Sequence, residues 1–142
     1  MPYAALIVWI LTASLGTYMV VTWRKHGGLA GSPPATHFPP ARVFTHLGLA
    51  VVGLVIWVIY LSTNAALWAW VAVGDLVLVA LLGVLLVRRW TLDGRAAMAN
   101  TGSEPRADLA EQHIERTPVV LHGILAASTF VLVLLTALGV GR

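Results

Sequence analysis

Four long apolar runs, separated by two polar segments and one short turn, set the pattern of this chain. The first covers residues 3 to 23, carries no charge from Tyr3 to Trp23, and ends at Arg24-Lys25. About 20 apolar residues in helical form cross the hydrocarbon core of a bilayer, so this run reads as a membrane span. It is too long for a signal-peptide core and no basic residue precedes it, which marks it as uncleaved. Residues 24 to 42 follow as a loop, where Gly27, Gly28, Gly31, Pro33, Pro34, Pro39 and Pro40 rule out a helix. The second span is residues 43 to 62, and the third is residues 67 to 87, closed by Arg88-Arg89-Trp90. The turn between them, Ser62 to Ala66, is short and uncharged, so the two spans are expected to be antiparallel neighbours. Residues 88 to 117 are the only sizeable polar segment, and Ser103-Glu104-Pro105 opens a short surface helix over 104 to 115. The fourth span is residues 118 to 141, with Pro118 suited to a first helical turn. The expected fold class is all-α: one domain over 1–142, an integral membrane four-helix bundle running up-down-up-down.

Composition strengthens that picture. The chain has 142 residues, 58% hydrophobic and 11% charged, with a mean hydropathy of +0.84. That is too apolar for a water-soluble domain. The absence of cysteine excludes disulfides, thiolate metal sites and cysteine nucleophiles. A net charge of +3 and a pI near 10.0 raise the question of nucleic acid. The basic residues flank apolar runs and form no patch of their own, so nucleic acid is rejected as a partner. Lys and Arg near span ends set orientation. The two polar loops carry Arg24, Lys25, Arg42, Arg88, Arg89, Arg95, Arg106 and Arg116, and the other side carries Arg142 alone. Both loops are therefore expected in the cytoplasm and both termini outside, in a multi-pass protein of a bacterial inner membrane. Trp23 and Trp90 fall at the cytoplasmic ends, and Tyr3, Tyr60, Trp68 and Trp70 at the outer ends, as interfacial aromatic belts.

The chemistry lies in the histidines. His46 and His122 each sit about one turn inside a span that opens with proline, and His37 and His113 lie nine residues upstream of them. An ionisable side chain inside a membrane helix is costly, and so marks a candidate functional site. Helical spacing extends His46 into the stripe Ala50, Gly53, Trp57, Tyr60, and His122 into Ala126, Thr129, Val133, Thr136. Small residues beside each ring, with Gly48 and Gly123 nearby, leave room for a flat ligand or for close helix approach. The spans also match as two hairpins of one orientation. Setting His37 on His113 pairs His46 with His122, Leu49 with Leu125 and Ala50 with Ala126, a pattern compatible with an ancestral duplication.

Two histidines at equal depth on two helices suit the axial positions of a haem. The layout resembles the small four-helix b-type cytochromes of bacterial membranes, a resemblance carried by four spans and two intramembrane histidines. It implies one haem b between His46 and His122, on spans lying diagonally, with both rings inward. Arg42 and Arg116 would face the propionates. An open slot is expected along Ala50, Gly53, Ala126 and Thr129. The bland alternative is that each histidine hydrogen-bonds a neighbouring helix near the headgroups. A third is a non-haem metal site that adds His37 or His113, although both fall on loops. His26, beside Gly27-Gly28, reads as a solvated loop residue.

Asp75, eight residues into span three, has no basic residue in its span. It reads either as a neutral acid bonded between helices, with Ser14, Thr12, Tyr18, Thr129 and Thr136 as candidate partners, or as a proton or ion site of a small transporter. Gly74, Gly83 and the pair Thr12 and Gly16 read as close-packing positions. The charged segment 88 to 116 reads as a solvated connection, with docking of a soluble partner as its alternative. The sequence has no nucleophile triad, phosphate loop or carboxylate pair. Any enzymatic role is therefore that of a membrane oxidoreductase or electron-transfer component. The alternatives are the transporter and a structural membrane subunit without ligand. The expected partners are the bilayer and a membrane or cytoplasmic redox partner, and an oligomer is compatible with the sequence.

Overall fold

The computed structural model describes residues 1–30, 36–99 and 109–141. It contains four long helices: α1 (Pro2–Lys25), α2 (Pro40–Thr63), α3 (Ala66–Ala99) and α4 (Arg116–Ala137). A 3₁₀ turn, Ala110–His113, precedes α4. All four helices are long and apolar enough to cross a membrane. Pro2 and Pro40 occupy the opening positions of α1 and α2, where a missing N–H breaks no helical bond. α2 closes on Asn64, whose φ of 53° is left-handed and whose N–H donates to the Tyr60 carbonyl. Asparagine tolerates that conformation better than most residues, and Ala66 already begins α3, so the turn is as short as expected.

Most boundaries fall within three residues of the sequence expectation, and two do not. α3 does not stop at Arg88-Arg89 but continues to Ala99. Its extension is rich in Leu, Ala, Arg and Met, which favour helix, and Gly94 alone does not break it. Thirty-four residues at about 1.5 Å each make roughly 51 Å, against a hydrocarbon core of about 30 Å. The last turns of α3 therefore project beyond a bilayer. α4 stops short, at Ala137, because Gly139 turns to φ 88°. There the Val140 N–H reaches the Leu135 carbonyl, and the Gly139 N–H reaches that of Thr136. Those two bonds are a Schellman cap. Of the short helix expected over 104 to 115, the described part holds the 3₁₀ turn Ala110–His113, and residues 104–108 lie outside the described residues.

The surface is as apolar as the interior, which a soluble protein does not allow, and several hydroxyls face inward. Val51, Val55, Leu81, Val84 and Ile124 are exposed, while Thr12, Thr129 and Thr136 are buried. A surface of that kind is solvated by lipid. Inside, α2 packs along α3 and α1 along α4; α3 and α4 touch less, and the α1–α2 seam is the least packed. The backbones of α1 and α3 make no close approach among the described residues, nor do those of α2 and α4, so each of these is a diagonal pair. Two cores divide the bundle. One gathers Ala5, Trp9, Trp57, Tyr60, Ala72 and Val133 toward the end where the chain begins. The other gathers Trp23, Phe38, Val43, Ala110 and Ile114 toward the polar loops. Tyr3 and Trp70 are exposed, as belt residues are, but Trp23 and Tyr60 are only 1% and 2% exposed. They are core residues, not interface anchors.

Candidate functional site

His46 and His122 project from the diagonal helices α2 and α4 into the bundle. Their ring centres are 6.3 Å apart at an interplanar angle of 60°. Each ring is held in the same way by the helix that packs beside it. His46 Nδ1 lies 3.0 Å from the Val79 carbonyl of α3, and His122 Nδ1 lies 2.9 Å from the Thr12 carbonyl of α1. A carbonyl only accepts, so each Nδ1 carries the proton and each Nε2 of the neutral ring carries the lone pair. One turn beyond each carbonyl is a glycine against the same ring. A Cβ on Gly83 would sit 3.2 Å from His46 Cε1, and one on Gly16 would sit 3.2 Å from His122 Cε1. The glycines are what let the rings close onto the neighbouring backbones.

These two arrangements are copies. The displacement along the sequence that takes Thr12 to Val79 also takes Gly16 to Gly83, Ala5 to Ala72 and Trp23 to Trp90. Ala5 and Ala72 are both fully buried, and both indoles donate into the loop end, Trp23 to Thr36 Oγ1 and Trp90 to the Glu111 carbonyl. A second displacement takes His37 to His113, Phe38 to Ile114, Val43 to Val119 and His46 to His122. The first half packs on the second as the second packs on the first, about a pseudo-twofold axis along the bundle. The histidine pair straddles that axis.

Several sequence expectations change here. Gly48 and Gly123 face open space and add none near the rings, and Gly74 also packs against nothing. The expected slot is closed at its deep end. A Cβ on Gly53 would run into the Asp75 carboxylate and would lie 2.9 Å from Trp9 Cζ2. Thr129 is buried, with its hydroxyl 3.4 Å from that of Thr12. Ala50 and Ala126 remain half-buried on the same faces as the histidines. Arg42 and Arg116 stand at the first turns of α2 and α4 and form no ion pair among the described residues.

Asp75 bonds to none of the partners expected for it. Thr12 and Thr129 bond each other, and Ser14 and Tyr18 lie toward the outside of the bundle. Asp75 Oδ2 is buried against Gly53 without a hydrogen-bond partner among the described residues. An ionised oxygen there has nothing to compensate it, so Asp75→Asn should hold or raise the melting temperature in detergent. A fall of several degrees would mean that the acid does structural work that the amide cannot.

The loop end is more ordered than the sequence implies. His37 Nδ1 is 3.0 Å from Asp93 Oδ1, and Asp93 Oδ2 accepts from Arg89 Nε at 3.1 Å. Glu111 is completely buried and accepts from Thr36 Oγ1 and from the His37 N–H, each at 2.6 Å. His26 is exposed, but it stacks on His113 at 3.9 Å between ring centres. His37 and His113 are thus fixed by packing, and Asp93 and Glu111, expected as solvated charges, are buried. The chain matches no family model, no curated protein and no solved structure.

Proposed function

We propose that this is a multi-pass membrane protein of bacterial inner-membrane type that holds one haem b between His46 and His122 for electron transfer. The spacing of the two rings carries this reading. Two nitrogen–metal bonds of about 2 Å, plus about 1 Å from each nitrogen to its ring centre, put the rings of a bis-imidazole metal roughly 6 Å apart. The observed separation is 6.3 Å. The 60° angle between rings is no obstacle, because a metal–imidazole bond prescribes no particular rotation of the ring about it. The Nδ1 bonds to Val79 and Thr12 favour the same reading, since ligand imidazoles are typically fixed by a carbonyl at the other nitrogen.

Haem, when bound, supplies a one-electron couple at its iron. Everything else falls to the chain. The Val79 and Thr12 carbonyls fix the tautomers that leave both Nε2 lone pairs free for the metal. Gly83 and Gly16 make room for those contacts. Trp9, Trp57 and Thr129 close the deep end against water. Arg42 and Arg116 offer guanidinium groups to the propionates. Haemin titrated into the purified apoprotein should bind at one equivalent per chain and give a low-spin spectrum. Non-saturating, high-spin binding would overturn the assignment.

In the same reading the bundle runs up-down-up-down, with both polar loops in the cytoplasm and both termini outside, as the distribution of basic residues favours. Asn64→Cys should therefore react with an impermeant maleimide in intact cells and Met98→Cys should not; the reverse pattern would invert the orientation. The unpartnered oxygen of Asp75 favours one rival, a small proton-coupled transporter. Substrate-linked proton release by the wild type, absent in Asp75→Asn, would establish it.

A further inference from the structure

We infer that His37, Asp93 and Glu111 form a divalent-cation site at the loop end of the bundle, distinct from the histidine pair and independent of the haem reading. The three residues come from three separate segments: the loop before α2, the projecting end of α3 and the 3₁₀ turn before α4. One ligand atom from each lies within 4.8 Å of the others. Side chains at right angles on one ion, with bonds of about 2.1 Å, are about 3 Å apart. His37 Nδ1 and Asp93 Oδ1 are 3.0 Å apart. A cation that replaces the Nδ1 proton would keep that spacing, and a small rotation of Glu111 would complete the set.

Charge points the same way. Glu111 is 0% exposed, and the two groups that donate to its carboxylate, the Thr36 hydroxyl and the His37 N–H, are neutral. The guanidinium of Arg89 is spent on Asp93. Buried charges are normally paired or bound to metal, and Glu111 forms no ion pair among the described residues. The outer groups fit as well. Each carboxylate oxygen has two lone pairs, so Thr36, the His37 N–H and Arg89 can stay bonded while the carboxylates ligate, as groups around a metal usually do. A metal needs an entry path, and His37 lines an open cleft of about 390 Å³ together with Thr36, Phe38 and Pro39. One imidazole and two carboxylates suit Zn²⁺, Mn²⁺ or Fe²⁺, and exclude soft ions such as Cu(I).

The test uses the full chain in detergent, stripped with chelator and dialysed against Zn²⁺ or Mn²⁺, with bound metal counted by mass spectrometry. The wild type should retain one equivalent and melt at a higher temperature than the stripped protein. His37→Ala and Asp93→Asn should each lower affinity at least about tenfold and remove the thermal shift. His46→Ala and His122→Ala should retain the equivalent, which separates this site from the haem pair. Circular dichroism identifies variants that fail to fold, and Glu111→Gln, which keeps the shape and the oxygen acceptor, should still fold but bind weakly. A wild type that retains no metal, or metal retained in the double variant His37→Ala with Asp93→Asn, would overturn the site.

Discussion

His46→Ala and His122→Ala are each expected to turn a low-spin, six-coordinate haem into a high-spin, five-coordinate one. If both rings ligate one iron, either loss would leave it with a single imidazole. The fall in haem affinity should exceed the roughly 10- to 100-fold that losing an outer-shell partner typically costs. Because the two sites are related by the pseudo-twofold axis, the two variants should have similar effects. If the histidines served only as interhelical hydrogen-bonders, each substitution would instead cost about 0.6 to 2 kcal/mol of stability and change no spectrum. Absorption spectra and melting temperatures recorded on the same samples distinguish these outcomes. Gly16→Val and Gly83→Val offer a graded check. In each, the added Cβ would already lie 3.2 Å from a histidine ring carbon, and the methyls beyond it would tilt that ring without removing it.

Gly28→Ala is expected to be the most damaging single methyl in the loop region. Its Cβ would fall within 2.2 to 2.6 Å of three atoms of the Trp23 indole. That ring is 1% exposed and held by its N–H to Thr36, whose hydroxyl in turn donates to Glu111. The indole cannot swing away without breaking this chain of bonds. Overpacking of a tight site costs typically 1 to 3 kcal/mol, and disturbing a buried polar network adds to that, so a loss of about 3 kcal/mol is expected. Gly28 does not adopt positive φ, so the cost is steric alone. Gly27→Ala makes a useful contrast: its φ of 93° strains any L residue, for about 1 to 2 kcal/mol. Gly48→Ala, with nothing within 4 Å, should be neutral. Denaturant or thermal unfolding of the three variants checks this order.

The spans and the tight Asn64 turn are legible in the sequence, because hydrophobic run length and loop length are displayed directly by a single chain. The diagonal placement of α2 and α4 and the inward histidines follow from no such pattern; the resemblance to the four-helix cytochromes implies them, and the described contacts agree with them. The other half of the histidine site is not legible. Gly16 and Gly83 do their work against a helix that is distant in sequence, and the atoms that hold the rings are backbone carbonyls, which no residue type announces. A signal is nevertheless present. The displacement that aligns α2 with α4 is not the one that aligns α1 with α3, because α3 runs on to Ala99, past the position equivalent to Lys25, and the loop after it is also slightly longer. Aligning the helices separately sets Gly16 on Gly83 and Trp23 on Trp90. The loop end is hidden for a different reason. Asp93 and Glu111 sit among charges that sum to zero, which looks like a solvated segment. Only the extension of α3 and the 3₁₀ turn bring them into the buried network beside Trp23 and Trp90.

The central claim is one haem held between His46 and His122, and the most direct measurement is the visible spectrum and haem content of the wild-type chain purified from haem-replete cells. The result expected is one haem per chain, low-spin in both oxidation states, since two imidazoles would ligate the iron. A chain that purifies without haem under those conditions, or with haem whose spectrum is unchanged in the His46→Ala, His122→Ala double variant, would contradict it.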